Sequence, residues 1–332
     1  MRKTLQNSIL LLTSVLVTVV AGEVFVRLFI PVRNVGPTFS AYDPYYGKVL
    51  KRNFTCTRIA PEFTMEFRTN SYGHRGPEPS VFPARPILFL GDSFTSGYGV
   101  NDGEEFPELI RTTLERRGTA PHIPVVNAGS GNTGNGYWLR FLKAEGPRYD
   151  PKLVVLGFCV NDFSDNIVEG MYALDPAGRL LEDTTANLQQ GARTAQQVIE
   201  AIPGLAYSHL VGLARQAYSE RTPPDPGVTG AGDARFSSSG DDLTYRLVAE
   251  TLDLCKNKQW RVVIIAIETT GGRLERLQTI CAKRDIPLLV TPTKRDRPDL
   301  YYAVDGHWNA AGHQFVRDMF MHLVDSDSLL SL

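Results

Sequence analysis

Ser93, Asp305 and His307 are residues whose types and spacing suit nucleophilic catalysis. An alcohol is a poor nucleophile near neutral pH, so Ser93 needs a base to take its proton. An imidazole can do this and return the proton to a leaving group. A carboxylate beside it can hold the ring's tautomer and stabilise the imidazolium that forms. Asp305-Gly306-His307 places both types within one short segment. Negative charge developing on a tetrahedral intermediate needs preorganised donors. The candidates are the backbone N–H of Ser93, a backbone N–H in the loop at Gly131, and the side-chain amide of Asn161. Asp92, Asn132 and Asp162 stand beside them as supporting polar groups.

Each segment alone also has a plainer reading. Gly91-Asp92-Ser93 suits a strand-to-helix turn capped by Asp or Ser, and the Asn- and Gly-rich run Asn127 to Asn135 suits turns needing positive φ. Asn161-Asp162 suits a helix cap, and Asp305-Gly306-His307 an exposed turn. The combination carries the chemistry, provided that the fold brings all four segments to one edge. Rival motifs are not met. Gly91-Asp-Ser93-Phe-Thr95 is not a G-x-S-x-G elbow, no Gly-Lys-Ser/Thr follows the glycine loop, and no H-E-x-x-H set exists. No metal and no organic cofactor is therefore called for. The other histidines (His74, His122, His209, His313, His322) are scattered and read as structural or exposed.

The elements that must position these residues alternate regularly. Apolar runs at Pro86–Leu90, Pro124–Asn127, Leu153–Phe158, Arg261–Ile267 and Ile286–Val290 read as strands. Helical patterns fall at Glu104–Arg117, Trp138–Glu145, Asp242–Lys256, Leu274–Lys283 and Ala310–Val324. Continuous apolar strands between amphipathic helices predict a parallel sheet covered on both faces, an α/β three-layer α/β/α sandwich. In such sheets ligands bind beyond the carboxyl ends of the strands. The candidate segments follow the first, second and third strands and precede the last helix, so they can converge there. Residues 164–239 form a long insertion, with a helical pattern at Asn187–Ile202 and loop-forming runs at residues 222–227 and 237–240. An insertion at this place is expected to overhang the active face and bear on substrate choice.

Composition narrows the class. The 332 residues are 42% hydrophobic and 21% charged, which fits a packed globular chain. A formal charge of −1 gives no field to attract nucleic acid, so a nucleic-acid partner is not expected. Cys56, Cys159, Cys255 and Cys281 are too dispersed for a C-x-x-C site, and Cys159, in an apolar run, reads as a buried thiol.

The amino terminus differs from the rest. Behind Arg2 and Lys3, the 19 residues Thr4 to Gly22 carry no charge, and as a helix they would span about 28 Å, close to the hydrocarbon thickness of a bilayer. The preferred reading is an uncleaved anchor continuing toward Pro31, with Glu23 and Arg27 paired one turn apart. A signal peptide cleaved near Val19-Val20-Ala21 is the alternative, and both imply export.

Gly91-Asp-Ser93, the glycine loop near residue 131, Asn161-Asp162 and Asp305-x-His307 resemble the four blocks of the SGNH (GDSL-type) hydrolase superfamily, in family order. The resemblance spans Gly91 to His307. Thr69–Gly76, Leu88–Val100 and Asp305–His313 resemble membrane-anchored bacterial members. The resemblance implies a flavodoxin-like fold and an esterase or related acyl-transfer activity. Three departures stand out. The loop glycine usual five residues after Asn127 is here Asn132, with Gly131 just before it. Cys159 holds a place usually glycine. Asp305 and His307 are separated by one residue rather than two, as in polysaccharide O-acetylation proteins of the superfamily.

The expected organisation is a membrane anchor or signal segment over residues 1–31, a lead-in over 32–85 that packs on the main domain, and a hydrolase domain over 86–332. The expected activity is an exported, serine-dependent hydrolysis of a small-molecule or polysaccharide acyl ester, with the anchor holding the catalytic domain on the extracytoplasmic side. An O-acyltransferase acting on an exported polysaccharide, and a non-catalytic binding or scaffold protein, are the alternatives.

Overall fold

The apolar runs assemble into one parallel sheet, because strands covered on both faces are apolar at successive positions rather than alternate ones. The computed structural model describes residues 2–78, 85–118, 123–183, 190–221, 240–326 and 329–330. Its sheet comprises β1 (Ile87–Gly91), β2 (Val125–Asn127), β3 (Leu153–Cys159), β4 (Arg261–Ile267) and β5 (Leu288–Val290). The order across the sheet is β5-β4-β3-β1-β2, all parallel. This is the flavodoxin-like doubly wound order, whose switch point lies between β1 and β3.

The larger helices, in chain order, are α1 (Arg2–Phe29), α2 (Phe106–Arg117), α3 (Asn135–Ala144), α4 (Asp162–Glu169), α5 (Gln190–Ala201), α6 (His209–Arg221), α7 (Gly240–Asn257), α8 (Gly271–Ala282) and α9 (Ala310–Ser326). Successive strand residues feed opposite apolar layers. Leu88, Leu90, Val154 and Leu156 pack with Trp138 of α3 and Val248 of α7. Ile87, Phe89, Leu153 and Val155 pack with Phe106 of α2 and Phe320 of α9. All are essentially inaccessible to solvent, and each contributes about 1.5–3 kcal/mol by leaving water. Gly118, at φ +63, ends α2 where the sequence predicts a stop.

The chain forms two compact units, residues 1–37 with 57–64 and 189–223, and residues 38–56 with 65–188 and 224–332. The sheet and the candidate site residues belong to the second. In the first, Val26, Val32 and Val35 make a small core with Ile30, Ile59, Leu210 and Leu213. Glu23, near the end of α1, accepts hydrogen bonds from Ser208 Oγ (2.7 Å), His209 N (2.8 Å) and Leu210 N (3.0 Å) at the start of α6. The expected insertion is thus divided: residues 189–223 cluster with α1, while α4 and a hairpin of Tyr172–Leu174 with Leu180–Glu182 belong to the second unit. His122, residues 222–227 and residues 237–239 lie outside the described residues. In the lead-in stretch, Thr55–Ile59 pairs with Thr64–Arg68, and Ser40–Asp43 pairs with Gly47–Leu50.

Candidate active site

β1 runs directly into a single helical turn, Ser93–Ser96. Asp92 caps it by accepting from Phe94 N at 2.9 Å, and Gly97 closes it at φ +78. The turn sits low on the sheet because three glycines leave room for it. A Cβ at Gly91 would lie 2.1 Å from Thr95 Oγ1, one at Gly157 2.3 Å from the same atom, and one at Gly129 2.6 Å from Ser96 N. These glycines belong to β1, to β3 and to the loop after β2, so three adjacent strands define the height of Ser93. Arg75 braces the chain that follows. Its buried guanidinium donates to Ser96 O (3.1 Å), Gly97 O, Val100 O (2.6 Å) and Asp102 Oδ1 (3.1 Å).

Ser93 Oγ lies 2.7 Å from His307 Nε2, although the residues are 214 positions apart. On the other side of the ring, His307 Nδ1 is 2.5 Å from Asp305 Oδ1. Gly306, at φ +90, makes the turn tight enough for Asp305 Oδ1 to accept from the His307 backbone N–H as well, at 3.4 Å. The carboxylate partner assigns the Nδ1 proton, which leaves Nε2 as an acceptor facing Ser93 Oγ. Phe94 and Tyr98 rings flank the imidazole, each with its centroid 4.9 Å away.

The loop after β2 passes against Ser93 at Gly131, where an added Cβ would lie 3.5 Å from Ser93 Cβ. Asn132, at φ +56, receives a hydrogen bond on its side-chain oxygen from Lys48 Nζ at 3.3 Å. Asn161 is the N-cap of α4, two residues past the end of β3, and its Nδ2 donates to Asp165 Oδ2 at 2.7 Å. Asp162 accepts from Asn135 Nδ2 (2.7 Å) and Cys159 N (3.2 Å), which ties the end of β3 to the start of α3. Burial pushes the Asp162 carboxyl well above its usual range. Asp92 is also raised by burial, offset by its bond from Phe94, by nearby His307 and by the side chains of Asn161 and Cys159. Cys159 packs its side chain into the apolar layer of α2 and α9, and burial raises its thiol. All four cysteines are buried, and none is joined in a disulfide.

The fold thus brings Ser93, Gly131 and His307 together, and sets Asn161 and Asp162 at the neighbouring strand end. Residue chemistry in the sequence does not single out Arg75, Gly129, Gly157 or Asp165. Arg75 carries a faint signal, an arginine between glycines in an aperiodic stretch (Gly73-His-Arg-Gly76). A cavity of about 500 Å³ backs onto the same glycine loop at Ala128–Ser130, with Tyr46, Tyr137 and Tyr149 in its wall, and Ser93 does not line it.

A serine, imidazole and carboxylate in sequence at the switch point of this sheet define an SGNH-type esterase. The chain belongs to the GDSL-like Lipase/Acylhydrolase family, whose family model matches residues 89–315. Similar solved structures include the psychrotrophic esterase EstA from Pseudoalteromonas sp. (14% identity, 73% of this chain and 97% of that one, TM-score 0.42). Others are the acetyl xylan esterase AlAXEase (12% identity, 72% and 99%, TM-score 0.44) and TesA (14% identity, 74% and 100%, TM-score 0.42). Likenesses this distant bear on neither substrate nor mechanism. No curated protein sequence matches the chain.

Proposed function

We propose that the protein is a membrane-held, extracytoplasmic serine esterase that cleaves O-acyl esters of carbohydrate or lipid through an acyl-Ser93 intermediate. The observation that carries the mechanism is the pair of contacts from Ser93 Oγ to His307 Nε2 (2.7 Å) and from His307 Nδ1 to Asp305 Oδ1 (2.5 Å). As Ser93 Oγ bonds to the ester carbonyl carbon, its proton passes to His307 Nε2, and Asp305 stabilises the imidazolium. The oxyanion takes hydrogen bonds from the backbone at Ser93 and Gly131 and from the Asn161 amide. Collapse breaks the bond to the leaving alkoxide, which takes the proton from Nε2. Water then attacks the acyl-serine with His307 again as base, and releases the carboxylic acid. Asp92, Asn132 and Asp162 support the loops that carry these groups.

The membrane reading is supported by α1, long and apolar enough to cross a bilayer. Its Leu5, Leu10, Leu12 and Leu16 are each more than 60% exposed, which suits a helix surrounded by lipid.

The test is hydrolysis of p-nitrophenyl acetate by the full-length protein in detergent, beside Ser93→Ala. The variant should lose roughly five to six orders of magnitude in kcat, while an organophosphonate should add covalently to Ser93 of the wild type, as read by peptide mass. Turnover that survives Ser93→Ala would overturn the mechanism.

A further inference from the structure

We propose that Asp165 is a positioning residue for the oxyanion: it holds the Asn161 side-chain amide by one N–H and so aims the other at the substrate's oxygen. The inference deepens the proposed mechanism and rests on it.

Asn161 occupies the N-cap of α4 yet makes no side-chain cap, with φ −74 and ψ −16. An asparagine there ordinarily turns its oxygen back toward the first helical amides. Here the Asn161 backbone oxygen accepts from Ser164 N (2.9 Å) and Asp165 N (2.8 Å), and the side chain instead gives its nitrogen to Asp165 one turn along, at 2.7 Å. The planar amide carries two N–H groups, so fixing one fixes the direction of the other. A carboxylate acceptor makes that bond roughly twice as strong as a neutral one. Without it, the amide would rotate among its rotamers and the oxyanion donor would have to be ordered during the reaction, at an entropic cost.

The groups around Asp165 set when it is a carboxylate. Burial raises its pKa most, and Asp92 at the end of β1 raises it further. The Asn161 bond and Lys48 lower it, and the balance is about 6. Lys48 comes from the strand Gly47–Leu50. Glu169, one turn further along α4, accepts from Gly134 N at 3.1 Å and, raised mainly by burial to about 8, is largely uncharged at neutral pH. Asp162, in the same helical turn, is itself raised by burial. Asp165 is therefore mostly ionised at pH 7 and loses its charge as the pH falls through about 6. Lys48 faces that carboxylate and also bonds Asn132 Oδ1, next to Gly131, so one ammonium steadies both loop segments that would supply donors.

The experiment uses the full chain in detergent, p-nitrophenyl acetate as probe, and the variants Asp165→Ala, Asp165→Asn, Asn161→Ala and the 161/165 double alanine. Asp165→Ala should lower kcat roughly tenfold to a hundredfold and leave KM within about twofold. The double variant should be no slower than Asn161→Ala, because both changes remove one device. Asp165→Asn keeps an oxygen acceptor without a charge, so it should restore only part of the kcat lost in Asp165→Ala. The kcat ratio of wild type to Asp165→Asn cancels any pH dependence common to both. That ratio should be close to one below pH 6, where Asp165 is protonated, and should rise above it. Three results would overturn the assignment: losses at 161 and 165 that multiply in the double variant, a change confined to KM, or a ratio that stays flat from pH 5 to 8. The ratio needs only the near-isosteric Asp165→Asn, so an Asp165→Ala chain that fails to fold leaves the test intact. Turnover surviving in Ser93→Ala would sink the acyl-serine mechanism and this role together, whereas multiplying losses with an inactive Ser93→Ala sink this role alone.

Discussion

The Ser93 turn and the His307 loop meet at one hydrogen bond, yet opposite means hold them in place. Ser93 rides on backbone packed so closely that Gly91, Gly129 and Gly157 have no room for a Cβ, and an arginine with no solvent-exposed side-chain surface clamps the residues that follow. His307 keeps about a quarter of its side chain exposed and is steadied by a carboxylate and two aromatic rings. Close-packed backbone has two outcomes, fitting or shifting, whereas side-chain contacts can be weakened by degrees. The position of Ser93 is therefore bound up with the stability of the sheet. The orientation of His307 is separable from stability and falls to a few replaceable groups.

Substitutions on the two sides should sort accordingly. The largest expected effect is on the histidine side. Asp305→Asn should cut kcat by roughly three to four orders of magnitude, because an amide can no longer hold the Nδ1 proton and the imidazolium, with a melting temperature close to wild type. A comparable loss of stability in that variant would break the contrast. On the nucleophile side, Arg75→Met should cost about 3–5 kcal/mol in a denaturant titration, because it strands the carbonyls of Ser96, Gly97 and Val100 and the buried Glu105 carboxylate. Arg75→Lys should recover little of it, since one ammonium cannot reach the same acceptors. Gly157→Ala should cost about 1–3 kcal/mol and lower kcat with it. Adding Thr95→Ala, which removes the oxygen that the new Cβ would strike at 2.3 Å, should return part of both, and failure to do so would mean that the clash is not what fixes the turn. The smallest effect belongs to Tyr98→Leu. Removing one ring edge from the imidazole is worth about 0.5–1.5 kcal/mol, read as a severalfold fall in kcat with little change in unfolding.

The same division runs through what the sequence makes legible. Leu153–Cys159 and Arg261–Ile267 stand out because a strand buried on both faces must be apolar at successive positions. Ser93, Asn161, Asp305 and His307 stand out because acyl transfer demands those types, and the family resemblance gathers them into one site. The neighbours of β1 are not spelled out by any apolar run, since they depend on how the crossovers wind. Arg75, Gly129 and Gly157 stay hidden for a related reason. Their importance lies in how closely other segments approach them, and a glycine within an apolar run looks like a mere interruption. Asp165 is hidden because an acidic residue in a first helical turn already has a bland explanation in the helix dipole. The hairpins of Ser40–Leu50 and Tyr172–Glu182 escape notice because strands of four and three residues are too short to show alternation.

The capping of α6 by Glu23 has a consequence in time. Its partners lie 185, 186 and 187 positions further along the chain. At a synthesis rate of about 5–20 residues per second, roughly ten to forty seconds separate the emergence of Glu23 from that of Ser208–Leu210. Through that interval Arg27, one turn away at 3.6 Å, is the ion partner already made, and three strands of the sheet leave the ribosome before α6 does. A helix made before β1, β2 and β3 is thus capped only after all three have been made, and the unit containing α1 closes no earlier than that.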